Sequence, residues 1–329
     1  MKITVLSGGV GGARFTRGLL AWLRASQPDG SGSTTAQVTV IANTGDDLWL
    51  HGVRVCPDLD TLMYTLGGAV HQEQGWGRSG ETSRVSDDLA AYDVDGDWFT
   101  LGDLDLATHL ARTHLLRAGR TLSQATEHLC RRWQPGVRLL PMTDDEVETH
   151  VAVAGEDGHE RLMHFEEWWV RHHAAPVAHR FVQVGLADAH AAPGVVAALL
   201  EADVVVLPPS NPVVSVGTIL AIPGVRDALV ATAAPVVGVS PIVGGAAVRG
   251  MADQCLRTIG VQTSAAAVAR HYGRRADGGV LDAWLVDVVD ADAAADLRAD
   301  GWRVGVTPTL MTDVPTTARI AAEALALVR

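Results

Sequence analysis

Ile3-Thr4-Val5-Leu6, Ser7-Gly8-Gly9-Val10-Gly11-Gly12-Ala13-Arg14 and Phe15-Thr16-Arg17-Gly18-Leu19-Leu20-Ala21-Trp22-Leu23, read in that order, decide the fold class. The first run is short and apolar, as a buried strand is. The third reads as a helix. Strand, glycine loop and helix together present backbone N–H groups to a phosphate. Glycines let a backbone come close to a ligand, so Gly8, Gly9, Gly11 and Gly12 are candidate phosphate contacts. The spacing departs from G-x-G-x-x-G, because Arg14 stands where the last glycine belongs. That counts against an NAD(P)-dependent oxidoreductase. A simple tight turn is the plainer use of such a loop.

The next apolar run, Val38 to Ala42, is followed by Asn43-Thr44-Gly45-Asp46-Asp47-Leu48-Trp49-Leu50-His51-Gly52-Val53-Arg54-Val55-Cys56-Pro57-Asp58-Leu59-Asp60-Thr61. Four carboxylates fall within fifteen residues, Asp46 to Asp60. Acids just past a buried parallel strand lie at the crevice where open α/β sheets bind ligands. Carboxylates grouped there can hold Mg²⁺ against substrate phosphates. Asn43, Thr44 and Asp58 are candidate binding residues, Asp46 and Asp60 candidate metal ligands, and Asp47 and Asp60 candidate catalytic acids. The plainer reading makes Asp46 a turn cap and Asp58 and Asp60 N-terminal helix residues.

Along the chain, Gln27 to Thr35 reads as an exposed linker and residues 61–145 as mostly helical, with helices at Asp103 to Leu116 and Leu122 to Trp133. Val147 to Ala154 and Glu160 to Phe165 read as a hairpin about a Gly155–Gly158 turn. Strands return at Asp203 to Leu207, Pro235 to Val239 and Ala283 to Val286. The expectation is one Rossmann-like, doubly wound, mostly parallel α/β domain over residues 1–329, with helical and hairpin insertions at about 61–180.

Composition narrows the function. The chain is 47% hydrophobic, with net charge −12 and no basic run, which argues against a nucleic-acid surface. No apolar run approaches a membrane span, and the chain starts directly on a strand, so no signal peptide is expected. Cys56, Cys130 and Cys255 form no pair motif and suit a reducing cytoplasm.

Pro208-Pro209-Ser210-Asn211-Pro212-Val213-Val214-Ser215-Val216-Gly217 and Ser240-Pro241-Ile242-Val243-Gly244-Gly245 each follow a strand. Ser210, Asn211 and Ser240 are therefore further candidates for binding a phosphate or a base, against a rigid proline turn as the alternative. Asp103 and Asp105 read as complements to a helix dipole, and His109 and His114, not four apart, as packing residues. Pro141-Met142-Thr143-Asp144-Asp145 needs only a turn. His164-Phe165-Glu166-Glu167-Trp168-Trp169-Val170-Arg171 is either a packing corner or a platform for a flat ring.

SGGVGG, NTGDDLWLHG, CPDLDT, LGDLDLATH, LLPMTDD, HFEEWW, PPSNPVVSVG and SPIVGG run in order across most of the chain. Together they resemble the 2-phospho-L-lactate transferase family, CofD, and its actinobacterial branch, FbiA. The resemblance implies a homodimer with a Rossmann core that builds the deazaflavin coenzyme F420. It joins Fo to the distal phosphoryl group of a guanosine diphosphate diester, with GMP leaving. In the actinobacterial branch that diester carries enolpyruvate; in archaeal members it carries lactate. The near-total use of arginine, with Lys2 the sole lysine, leans towards the actinobacterial donor. A sister group of similar core, which binds UDP-sugars without catalysis, is the competing reading.

Overall fold

Alternation within each central strand builds two cores at once. Strand β1 (Lys2–Ser7) turns Ile3 and Val5 to one face and Leu6 to the other, and β9 (Val204–Leu207) divides Val204 and Val206 from Val205 and Leu207 in the same way. Both faces are covered, so these strands read as continuous apolar runs. In this computed structural model, which describes residues 1–155 and 158–329, they belong to one seven-stranded parallel sheet. Strand order across it begins at β5 (Arg138–Pro141), passes β2 (Gln37–Ala42), β1, β9 and β10 (Val236–Val239), and ends with Ala283–Val286 and Arg303–Val306. Chain direction across the sheet therefore reverses between β1 and β9, and the crevice at their carboxyl ends is the doubly wound fold's place for a ligand.

Helix α1 (Gly9–Ser26) starts at Gly9, not at Phe15 as the glycine content suggested. Only Gly8 is left as the loop, and Gly9 enters the helix with φ +47°, where a side chain would be strained. The span 61–145 is not helical throughout, because β5 lies in it and pairs with β2 as a sheet edge. The insertion expected at about 61–180 is thus two insertions. The first, 43–137, carries a hairpin, β3 (Leu48–Leu50) with β4 (Val53–Val55), then α2 (Pro57–Leu66), α3 (Arg84–Ala91), α4 (Asp103–Arg117) and α5 (Leu122–Trp133). The hairpin turns on His51 and Gly52, both at positive φ.

The second insertion holds the expected hairpin, β6 (Glu148–Ala154) with β7 (Glu160–His164), and a strand the sequence did not suggest, β8 (Arg180–Val184). The expected Gly155–Gly158 turn falls on Glu156 and Asp157, which lie outside the described residues. Phe165 and Trp168 pack on Phe181, with ring centroids 6.4 and 6.3 Å away, so these two form a packing corner, while Trp169 beside them is exposed.

Candidate active site at the sheet reversal

The crevice is stitched across β1 and β9 before any ligand arrives. Ser210 Oγ accepts from the Gly8 N–H at 3.1 Å and donates to the Gly8 carbonyl at 2.9 Å. A Cβ on Gly11 would come within 2.4 Å of the Pro209 carbonyl oxygen, and one on Gly12 would strike the hydroxyls of Ser7 and Ser210. These two glycines let α1 approach the 208–215 loop. Gly8 and Gly9 lie against the Asp58 carboxylate. Asn211 closes its own turn, accepting from Val213 and Val214 N–H, and Ser240 bonds the backbone of Ile242. Buried Ser7 and Thr44 keep hydroxyls without a partner among the described residues.

The four acids read as one cluster fall into two nests, because neighbours in sequence point apart. On α2, Asp58 and Asp60 are two residues, about 200°, apart around the helix axis. Asp58 turns to the crevice. There Asn43 Nδ2 donates to Asp58 Oδ2 at 2.9 Å and to Asp46 Oδ2 at 3.1 Å. Glu166, from the aromatic segment, is the third carboxylate of this nest; both Asp46 and Asp58 feel its charge or exert theirs on it. All three are buried, and no Lys, Arg or His among the described residues forms an ion pair with them. Burial pushes Asp58 up to about 6. Burial and the Asp58 charge push Glu166 up to about 8, and burial with its three acid neighbours raises Asp46 well above the usual carboxylate range.

Asp60 turns to α4 and finds cations. Its Oδ1 is held by Arg112 Nη2, while His109 Nδ1 lies 3.5 Å from its Oδ2. Asp105 completes this nest, 3.6 Å from His109 Nε2, and accepts from the Tyr64 hydroxyl at 2.6 Å. Arg112 also donates to the Arg54 carbonyl at 3.1 Å. Burial still raises Asp60, against the pull of Arg112 and His109. Burial also opposes ionisation of Asp105, yet His109 and Tyr64 hold it below its ordinary value. Asp47 stands beside the second nest, 3.9 Å from Arg54; burial, partly offset by Arg54, pushes it up to about 7.

Several of these partners escaped the sequence reading. Asp105 and His109 are four apart on α4, but Asp105 read as a dipole complement and His109 as packing. Asp103 likewise reaches away from its own helix, accepting from Val85 N–H at 3.1 Å and from the Thr82 hydroxyl. Arg54, Arg112 and Glu166 carry no local pattern, since only the fold brings them to the acids. Asp144 accepts from Ser123 N–H at 2.6 Å, the plain turn-and-cap use of its loop.

Two donor sets could hold a cation. Asp60, Asp105 and His109 each offer one ligand atom, all within 4.8 Å of one another, and Asp60 Oδ2 and His109 Nε2 have no hydrogen-bond partner. Its imidazole suits a transition metal better than Mg²⁺. Asp46, Asp58 and Glu166 offer only oxygens, the donors Mg²⁺ prefers, and Asp46 Oδ1 is buried without a partner. Asp46 and Asp60, both candidate metal ligands from the sequence, stand in different nests.

A family model described as 2-phospho-L-lactate transferase CofD matches residues 3–306. The chain belongs to the CofD family. This CofD-family chain is 57% identical over 327 residues to the phosphoenolpyruvate transferase of Streptomyces griseus, spanning 99% of this chain and 98% of that protein. It is 58% identical over 329 residues to that of Thermobifida fusca, again over 99% and 98%. The phosphoenolpyruvate transferase of Nocardia farcinica is 53% identical, over 99% of this chain and 94% of its own length. These relatives set the chain in the actinobacterial branch of the CofD family, whose activity is a phosphoenolpyruvate or phospholactate transfer. The crystal structure of protein BH3568 from Bacillus halodurans shares the fold, with TM-score 0.62 at 16% identity over 98% of this chain and 99% of that one. No helix among the described residues is long and apolar enough to cross a membrane.

Proposed function

We propose that this CofD-family protein moves an enolpyruvyl-phosphate group from enolpyruvyl-2-diphospho-5'-guanosine to the ribityl hydroxyl of Fo, giving dehydro-F420-0 and GMP. What carries the reading is near full-length similarity to relatives named phosphoenolpyruvate transferase, combined with buried carboxylates at the sheet reversal. Attack of an alcohol on a phosphoryl group mainly needs positioning and charge neutralisation. The ribityl oxygen bonds to the distal phosphorus, the bond from that phosphorus to the GMP phosphate oxygen breaks, and the hydroxyl proton passes to a carboxylate.

Asp60 is our choice for that carboxylate. Arg112 fixes one of its oxygens and leaves Oδ2 free of hydrogen bonds. Asp47, raised to about 7, is near neutrality and serves as the second acid–base group. Asp46, Asp58 and Glu166 would hold Mg²⁺, with Asn43 bridging the first two. Bound there, the ion neutralises diphosphate charge that an acidic site otherwise repels. The protein is assigned to the cytoplasm and to a homodimer on the family's pattern. The deciding experiment is mass spectrometry of products from Fo with the enolpyruvyl and the lactyl donor. Dehydro-F420-0 formed much faster than F420-0 supports the reading. Dominant F420-0 replaces the donor, and no product with either rejects the transfer in favour of a non-catalytic nucleotide binder.

A further inference from the structure

Three arginines beside the crevice have no acid to pair with. Arg14 and Arg17 lie on α1 with Val10 at i, i+4 and i+7, so they share one face of that helix. Arg249 reaches them from the segment that follows Ser240–Gly245. Among the described residues no carboxylate lies within ion-pair distance of any of the three. Arg14 Nη2 reaches only the Gln72 carbonyl, at 3.5 Å, and Arg249 Nη2 the Glu73 carbonyl, at 3.1 Å. Arg17 Nε is buried with no hydrogen-bond partner among the described residues.

Mutual repulsion makes this costly. Burial first, then Arg249 and Arg17, lower the Arg14 guanidinium below its ordinary value. In a chain of net charge −12, acids to relieve the repulsion are plentiful, yet none is placed here. The 71–78 loop lies over the pair: a Cβ on Gly75, at φ +80°, would sit 2.7 Å from Arg249 Nη1 and 3.3 Å from Arg14 Nη2. Arg14 is about 7.5 Å along the helix axis from Gly9 at the crevice, within the span of a nucleoside diphosphate. Guanidinium groups match phosphate and carboxylate oxygens two at a time.

We infer that Arg14, Arg17 and Arg249 form an oxyanion site that takes an anionic group of the donor, either its diphosphate or the carboxylate of the transferred group. The inference rests on the donor proposed above and deepens it, since without a bound metal the acid nests repel anions. The site divides labour across the crevice: cations grip the donor's oxygens on the α1 side, and carboxylates manage the proton and the metal on the other.

The test is equilibrium binding of inorganic pyrophosphate, phosphoenolpyruvate and GMP to the wild type, Arg14→Gln and Arg249→Gln, with melting curves to confirm folding. Arg249 is exposed, so its variant is expected to fold normally. Both variants should bind pyrophosphate or phosphoenolpyruvate about tenfold more weakly. Loss confined to pyrophosphate identifies the diphosphate as occupant; loss confined to phosphoenolpyruvate identifies the carboxylate end. No binding of either probe to the wild type, or equal affinity in all three proteins, overturns the inference. Turnover of Fo, measured in parallel, separates the two proposals. Normal turnover with unchanged anion affinities removes the arginine site alone. Weakened anion binding in the variants of a chain that turns over neither donor keeps the site and removes the transfer.

Discussion

The two nests flanking α2 hold similar numbers of buried carboxylates and solve the same electrostatic problem differently. Around Asp60, the protein supplies its own counter-charge through Arg112, with the imidazole of His109 3.5 Å away. Around Asp46, Asp58 and Glu166 it supplies an amide, Asn43, and among the described residues no ion-paired cation. A buried carboxylate without a cation must take up a proton or wait for one from outside. The Asp60 nest therefore carries a counter-charge of its own, while the nest of Asp46, Asp58 and Glu166 is built to receive one from a ligand.

Removing the cation from the Asp60 nest gives the largest expected effect. Arg112→Met strands Asp60 in a buried site, and breaking such a pair costs about 3–5 kcal/mol. Chemical denaturation should show that loss; a change under about 1 kcal/mol would mean that Asp60 is already neutral in the folded protein and that the contrast is false. Next comes Asp60→Asn, which keeps the shape and removes the base. Its kcat should fall about a hundredfold or more in protein that a melting curve shows still folded, although the variant also leaves the buried Arg112 unpaired and should lose stability. A mild kinetic effect would reduce Asp60 to a helix-terminus residue.

Metal removal separates the nests. EDTA should abolish turnover, and Mg²⁺ should restore it in the wild type and in His109→Gln but not in Glu166→Gln. Restoration in Glu166→Gln together with failure in His109→Gln would move the ion to the Asp60 nest. The smallest effect is on stability against pH. Asp58, Asp47 and Glu166 have folded-state values of about 6, 7 and 8, above their unfolded range, so the folded protein binds more protons. Their contribution is fully present below about pH 4 and is lost as pH rises through 6 to 8. Without metal, the melting point should fall by several degrees from pH 5.5 to 8.5, and Mg²⁺ should flatten the slope. Glu166→Gln should flatten it without metal. A melting point that rises over this range would show the nest of Asp46, Asp58 and Glu166 to be ionised and already balanced.

How much of this was legible follows from what each signal depends on. Strand–glycine–helix and the apolar runs are local, so β1, β2, β9, β10 and the sheet class could be read directly. The start of α1 could not, since glycine is a poor helix former on its own and Gly11 and Gly12 are helical because the 208–215 loop packs on them. Strand β5 was hidden by its brevity, with Arg138 at its start and Pro141 at its end. Within the site, Asp46, Asp47, Asp58 and Asp60 stood out as a string, but their partition depends on helix phase and on partners far along the chain. Glu166 reaches Asp58 from 108 positions away by its number, and Arg112 reaches Asp60 from 52. The glycine loop was read as a cradle for phosphate, whereas the Cβ positions of Gly11 and Gly12 face protein.

The Gly8–Ser210 stitch joins residues 202 apart, and β1 lies between a partner made early and one made late. At about 5–20 residues per second, Ser210 leaves the ribosome's catalytic centre roughly 10–40 seconds after Gly8. During that interval β1 has β2 on one side and an unpaired edge on the other. A nascent chain thus carries half a crevice and an open strand, a state exposed to mispairing with other chains. Nucleotide cannot shelter it, because the wall that closes the crevice has yet to be translated.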